Sequence, residues 1–367
     1  MDIKFHDALE NANNYSKIRY AATPKISLNE LIFKKNNTDK LTFTHSGGTA
    51  LFSAGDKLRR EENVILVPSY HCPAALEPFI ALGFECLLYR VNKDLAPNID
   101  HIDQLIAQHK VSHLLIINYF GVISHISDIA QHLSNTNIKI IHDCAHSLFE
   151  LLSYAKQPTY ADATICSINK ILPSIDGGIV TFKQHATPVL QKVSLIRELK
   201  ALSYLLGATR VINGLRSLIT KPKHSSLTAQ QPSSALRYLA VGNLENQCFR
   251  HTICILQHSN LQQIASKRRK NYQYLCEQLT DATAGTILQQ TLKEGDVPYV
   301  LPFLLHNDND FSYLRRQGIQ CLRWEEVAKS DCAVSQDYRF RLLQLPCHHQ
   351  LNKRQLDDIV AKIQELP

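Results

Sequence analysis

Three short segments of this 367-residue chain put side chains that could do chemistry at strand ends or helix starts. In Ile140-Ile141-His142-Asp143-Cys144-Ala145-His146, a carboxylate follows a stretch apolar enough to be a buried strand. A buried carboxylate needs a cation or a hydrogen-bond donor. A protonated ring nitrogen would serve, and so would capping of the next helix. In Cys166-Ser167-Ile168-Asn169-Lys170-Ile171-Leu172, one lysine is hemmed in by apolar residues. Partial desolvation suits a lysine amine to Schiff-base formation, whereas most loop lysines are solvated. In Thr44-His45-Ser46-Gly47-Gly48-Thr49-Ala50-Leu51, small residues open a helix. The N–H groups and hydroxyls at such a start bind phosphate, although a Gly pair also serves as a plain entry turn. Asp176-Gly177-Gly178 then returns into a strand, where paired glycines let backbone pass close to something.

The elements that position these groups alternate between strand and helix. Val64–Val67, Cys86–Val91, Leu114–Ile117, Ile138–Ile141, Ala163–Cys166 and Gly178–Phe182 are apolar runs separated by helical patterns. Runs apolar on both faces predict a mostly parallel α/β sheet. In such sheets ligands gather at the carboxyl ends of the strands. Residues 193–219 read as a basic helix with Arg197, Lys200, Arg210 and Arg216 against Glu198. A subunit or lobe contact is the preferred reading over a membrane-surface helix. Residues 221–226 read as a loop, 230–234 restart a helix, and 236–279 read as one long helical region. The strand 299–305, a helix near 311–317 and a last helix from Lys353 predict a smaller α+β lobe. The expected organisation is a large α/β domain over 1–245 and a small one over 246–367.

Composition bounds the function classes. Hydrophobic residues make up 44 % and charged ones 20 %, which excludes a disordered or low-complexity chain. The net charge of +7 is scattered rather than concentrated, so no nucleic-acid partner is expected. Ten cysteines with no C-x-x-C read as buried free thiols of a reducing compartment. The polar N-terminus and the lack of a membrane-length apolar run make cytoplasmic the expected location. The seventeen histidines show no metal-ligand spacing, and no metal is expected.

Taken in order, a Gly-rich helix start, an Asp about a hundred residues on and a Lys twenty-seven later make a recognisable series. The chain resembles the DegT/DnrJ/StrS group of fold-type-I, pyridoxal-phosphate-dependent aminotransferases, from about residue 40 to the end. Val67-Pro68-Ser69-Tyr70-His71-Cys72-Pro73, Asn118-Tyr119-Phe120-Gly121, Arg268-Arg269-Lys270-Asn271-Tyr272, Gln317-Gly318-Ile319 and Leu345-Pro346-Cys347-His348-His349 support it. The resemblance implies that Lys170 carries pyridoxal 5'-phosphate and moves the substrate proton. It implies that Asp143 pairs with the ring nitrogen and that His146 lies near the phenolic oxygen. Gly47, Gly48, Thr49 and Ser167 would hold the phosphate.

Four features depart from the group. Cys72 stands where an aromatic ring often covers the cofactor, leaving Tyr70 or His71 as alternatives. Ser167 precedes Lys170 by three residues rather than five. No counterpart of the usual Asn-Tyr-Arg stretch is evident between Lys183 and Leu244. His142 replaces a common acidic residue. The implied activity is transfer of an amino group, with glutamate as donor, to a keto-sugar, commonly nucleotide-linked, by a homodimer. A PLP enzyme for a non-sugar intermediate and a catalytically silent PLP-fold protein are the alternatives.

Overall fold

The computed structural model describes residues 3–8, 18–25, 27, 30–32, 35–154, 160–184, 188–205 and 236–366. The expected basic helix beyond residue 205, with Arg210 and Arg216, and the expected loop and helix start at 221–234 lie outside these residues.

Seven strands form the main sheet: β1 (Thr42–Thr44), β2 (Val64–Pro68), β3 (Glu85–Tyr89), β4 (His113–Ile117), β5 (Lys139–Cys144), β6 (Ala163–Ser167) and β7 (Gly178–Phe182). Their spatial order is β1-β7-β6-β5-β4-β2-β3. All of β2, β4 and β6 is buried. Strands covered on both faces show as unbroken apolar runs, which is why they were legible. Neighbours from β3 through β6 pair in parallel, whereas β7 lies antiparallel between β1 and β6. The expected mostly parallel α/β sheet is present, flanked by helices.

Parallel neighbours need crossovers. Helices α2 (Pro73–Ala81), α3 (Ile99–Gln108), α4 (Ile126–His132) and α5 (Leu148–Tyr154) supply them, while α1 (Gly47–Lys57) leads from β1 to β2 and the short α6 (Ile168–Ile171) leads from β6 into the antiparallel β7. Strands β1, β5 and β6 therefore deliver the helix start, Asp143 and Lys170 to the same edge of the sheet. Strand β7 starts from that edge, with Gly178 opposite both Thr44 and Ser167. A Cβ on Gly178 would lie 2.1 Å from the Ser46 carbonyl oxygen, so the turn closes only over glycine.

Beyond β7 come α7 (Leu195–Leu205), α8 (Arg250–His258) and α9 (Leu261–Leu279). The long helical region expected over 236–279 is helical from Arg250 onward, in two helices rather than one run. Ser259 is extended, and the Asn260 side chain accepts the Gln263 N–H at 3.1 Å, ending α8 and starting α9. Earlier, the N–H groups of Arg237, Tyr238 and Leu239 go to the buried Glu77 carboxylate of α2 instead of to a helix.

A second, antiparallel sheet has the order β10-β9-β8, from β8 (Gly285–Ile287), β9 (Val300–Leu305) and β10 (Leu342–Pro346). Helices α10 (Asp310–Arg316), α11 (Ala333–Arg341) and α12 (Lys353–Gln364) accompany it. The N-terminal residues run along this part, with Phe5 bridging to Ala328 and Tyr20 to Ile319. No helix among the described residues is long and apolar enough to cross a membrane.

Candidate active site

Ser46 caps α1: its Oγ accepts the Thr49 N–H at 3.2 Å, and its own N–H goes to Thr49 Oγ1 at 2.7 Å. Thr49 Oγ1 also donates to the Ser46 carbonyl at 2.8 Å, so this hydroxyl is spent inside the cap. The first-turn N–H groups that the cap contacts do not use are those of Gly47 and Gly48. A Cβ on Gly47 would come within 3.2 Å of Ser167 Cβ, which puts the helix start against the lysine segment. Ser167 Oγ donates to Asn169 Oδ1 at 2.8 Å.

Four of the expected residues, Cys72, Asp143, His146 and Lys170, line one narrow cavity with Asn118, Ala145 and Trp324 among the other walls. Asp143 is the next-to-last residue of β5 and accepts the Ala145 N–H at 2.7 Å. Burial pushes its carboxyl above the usual carboxylate range, against the opposing pull of the Lys170 charge and the Ala145 N–H. Lys170 sits in α6 and brings Nζ to 3.0 Å from His146 Nε2.

His146 is held from every side. Its Nδ1 accepts the Phe120 N–H at 3.2 Å, and Tyr299 stacks on its ring at 4.7 Å with an interplanar angle of 23°. Burial, reinforced by the Lys170 charge, holds its pKa well below the usual imidazole value, so the ring is neutral. Phe120 makes this contact from a left-handed backbone, φ +60°, which a non-glycine residue adopts only under constraint. The Tyr299 N–H supplies that constraint by donating to the Phe120 carbonyl at 2.8 Å.

Of the three residues considered as ring covers, Tyr70 is fully buried and His71 nearly so, and only Cys72 reaches the cavity wall. His71 is tied through Nδ1 to its neighbour, the Cys72 carbonyl, at 2.8 Å. Sequence reasoning quoted Ser46, Asn118, Phe120 and Arg268 within its supporting segments and Tyr299 within a strand but gave none of them a role, and it did not single out Trp324. Ser46 was readable from its S-x-x-T spacing before a helix, and Trp324 only from being the chain's one tryptophan. On the opposite face of β5, His142, Cys144 and Glu150 bring potential ligand atoms within 4.8 Å of one another, which spacing alone did not suggest. Cys144 Sγ lies 3.4 Å from His142 Nδ1, a thiol–imidazole contact that accounts for that pair without an ion.

The residues present fit a phosphorylated pyridine. A buried carboxylate with a raised pKa faces the cavity and would be relieved by a ring N–H⁺. A lysine amine stands in the same cavity, and a glycine helix start with uncommitted N–H groups lies against the lysine segment.

No curated protein sequence matches the chain. Among solved structures, the chain is similar to PseC of Helicobacter pylori, an aminotransferase involved in pseudoaminic acid biosynthesis, at 14 % identity over 95 % of this chain and 98 % of that one, with TM-score 0.65. It is also similar to a DegT DnrJ EryC1 StrS aminotransferase from Brucella abortus, at 16 % identity over 88 % and 85 % of the chains, with TM-score 0.58. A third likeness is the E. coli GDP-4-keto-6-deoxy-D-mannose-3-dehydratase with bound hydrated PLP, at 15 % identity over 88 % and 87 %, with TM-score 0.60. At such identities these likenesses establish the fold. The family model of the DegT/DnrJ/EryC1/StrS aminotransferases matches residues 34–198, the span that contains the helix start, Asp143, His146 and Lys170. Over that span, and on the fold-type-I architecture that the solved structures share, the chain is similar to the DegT/DnrJ/EryC1/StrS aminotransferases.

Proposed function

We propose that this chain moves an amino group from glutamate to a keto-sugar, nucleotide-linked in the free substrate. The observation that carries this reading is the convergence of Lys170, Asp143 and His146 on one cavity, with Lys170 Nζ 3.0 Å from His146 Nε2.

Pyridoxal 5'-phosphate, when bound, supplies an electron sink for the carbon that bears the amine. The protein does the rest. Asp143 would hold the proton on the ring nitrogen. Lys170 would hold the group through its amine, and that amine when free would take the proton from the substrate carbon and return it. Neutral His146 aims the Lys170 amine, because its own ring is fixed by Phe120 and Tyr299. Gly47 and Gly48 offer N–H groups to the phosphate, with Ser167 beside them. The excess of basic residues suits a phosphorylated acceptor.

We also place the enzyme in the cytoplasm as a homodimer, with large and small domains meeting near residue 245. Every strand of the seven-stranded sheet precedes that point and every strand of the three-stranded sheet follows it. Helix α7 turns Leu195, Ile196 and Leu199 outward, 66, 81 and 67 % exposed, which suits a covering subunit.

The test is spectroscopic and then chemical. Protein loaded with PLP should show a visible absorbance band that glutamate shifts and that Lys170→Ala lacks. The aminated cofactor form should then react with a nucleotide-linked keto-sugar faster than with the free sugar or a non-sugar ketone. A band indifferent to Lys170, or preference for a non-sugar ketone, would overturn the respective half of the reading. Light scattering checks the dimer.

A further inference from the structure

One wall of the active-site cavity comes from none of the cofactor motifs. Trp324 belongs to the C-terminal part of the chain, yet it borders the same space as Cys72, Asp143 and Lys170. Among the described residues, two lining side chains carry flat rings, His146 and Trp324. His146 is fully engaged: its nitrogens face the Phe120 N–H and Lys170 Nζ, and its faces stack with Phe120 and Tyr299. The indole of Trp324 is not. It meets the rings of Tyr70, Tyr119, Phe120 and His146 at centroid distances of 5.1, 6.2, 5.8 and 5.7 Å, all tilted by 31° to 50° and none stacked. A large π-face bordering a cavity and stacked on no ring among the described residues is suited to a planar ligand.

The indole is also presented rigidly. Leu322 pairs with Gln344 of β10. Arg323 donates to the Phe340 carbonyl at 2.9 Å and to Glu325 at 2.7 Å. Arg339 donates to the Glu325 carbonyl at 2.8 Å, and Glu326 accepts from Arg237 at 2.6 Å. Segment 322–326 is therefore fixed on both sides of Trp324, so little further ordering is lost when a ligand arrives. Cys72, the other candidate on the wall, has no ring to offer.

We propose that Trp324 is the aromatic residue that covers the pyridine ring of the bound cofactor, supplied from the smaller sheet's side of the molecule. The inference rests on the reading that this cavity takes PLP. Because Trp324 is the only tryptophan, its emission reports on this one position. The apo-protein is titrated with PLP, following visible absorbance and tryptophan emission together. Binding of pyridoxamine 5'-phosphate, which needs no bond to Lys170, is measured on wild type, Trp324→Phe and Trp324→Ala. The expected result is emission falling with the absorbance midpoint, about tenfold weaker pyridoxamine phosphate binding in Trp324→Ala, and near-wild-type binding in Trp324→Phe. Thermal midpoints of both variants confirm folding, and the wild-type emission change needs no variant. PLP bound through Lys170 with unchanged emission, or Trp324→Ala binding like wild type, would overturn the proposal and leave the aminotransferase reading standing. Absence of any PLP absorbance in wild type would overturn both.

Discussion

The guanidinium of Arg268 donates to the main-chain carbonyl of Ile171 at 3.1 Å, so the short helix that carries Lys170 is held by a side chain from α9. The same guanidinium donates to the carbonyls of Pro298 and Tyr299, both at 3.1 Å, and is completely buried. It ties the lysine segment to the residue that stacks on His146.

Replacing Arg268 by Met should therefore strand three buried carbonyls and cost about 3 kcal/mol of stability. Arg268→Lys should recover part of this but reach fewer of the three acceptors, because an ammonium lacks the planar fork. Urea denaturation measures the loss. In Arg268→Lys, slower loading of PLP than in wild type would show that Lys170 has also been displaced.

Asp143→Asn should keep the cavity's shape while removing the negative charge that a ring N–H⁺ requires. The rate of amine transfer from glutamate should fall on the order of 10²–10³-fold, with the protein still taking up cofactor. Single-turnover absorbance changes separate the two. An Asn variant as fast as wild type would show that Asp143 is only structural.

Glu77 accepts the N–H groups of Arg237, Tyr238 and Leu239 at 2.9, 2.6 and 2.7 Å. Leu239 in turn packs near Gly48, so this carboxylate seats the segment beside the helix start of α1. Glu77→Gln places an amide donor among three donors and should cost about 2 kcal/mol. Faster hydrogen exchange at residues 237–239 in the variant is the readout.

Stability should fall on acidification below about pH 6.5. Burial lowers the His71 imidazole to about 4, and burial with the Arg268 charge lowers His348 to about 4. In the folded state His348 is locked neutral, donating from Nε2 to the Ala21 carbonyl at 3.1 Å and accepting the Gln350 N–H at Nδ1. Between pH 6.5 and 4 the unfolded chain thus binds more protons than the native one, and each imidazole removes on the order of 1 kcal/mol per pH unit. Urea midpoints at pH 7 and pH 5 test this, and His348→Gln should shallow the dependence.

What was legible in the chain was whatever rests on local pattern. The buried strands are unbroken apolar runs, and the carboxyl-end rule picked out Asp143 and Lys170 because each lies within a few residues of the end of such a run. The helix start was readable from its small residues. Trp324, Tyr299 and Arg268 were not, because their roles depend on contacts with residues more than ninety positions away in sequence. The break at Ser259-Asn260 and the extended run through 237–239 were missed for a related reason. There a side-chain cap and a distant carboxylate outcompete the helix that the apolar spacing favours.

Strand β7 is one strand wide, and it separates β1 from β6. Strand spacing in a sheet is about 4.8 Å and is held by main-chain hydrogen bonds. The span from helix start to lysine to carboxylate is therefore a ruler graduated in strands. Side-chain changes around the cavity, at Cys72 for example, alter its lining but cannot stretch that ruler. The distance from the Gly47 turn to Asp143 is a property of the sheet and not of the residues that face the cavity.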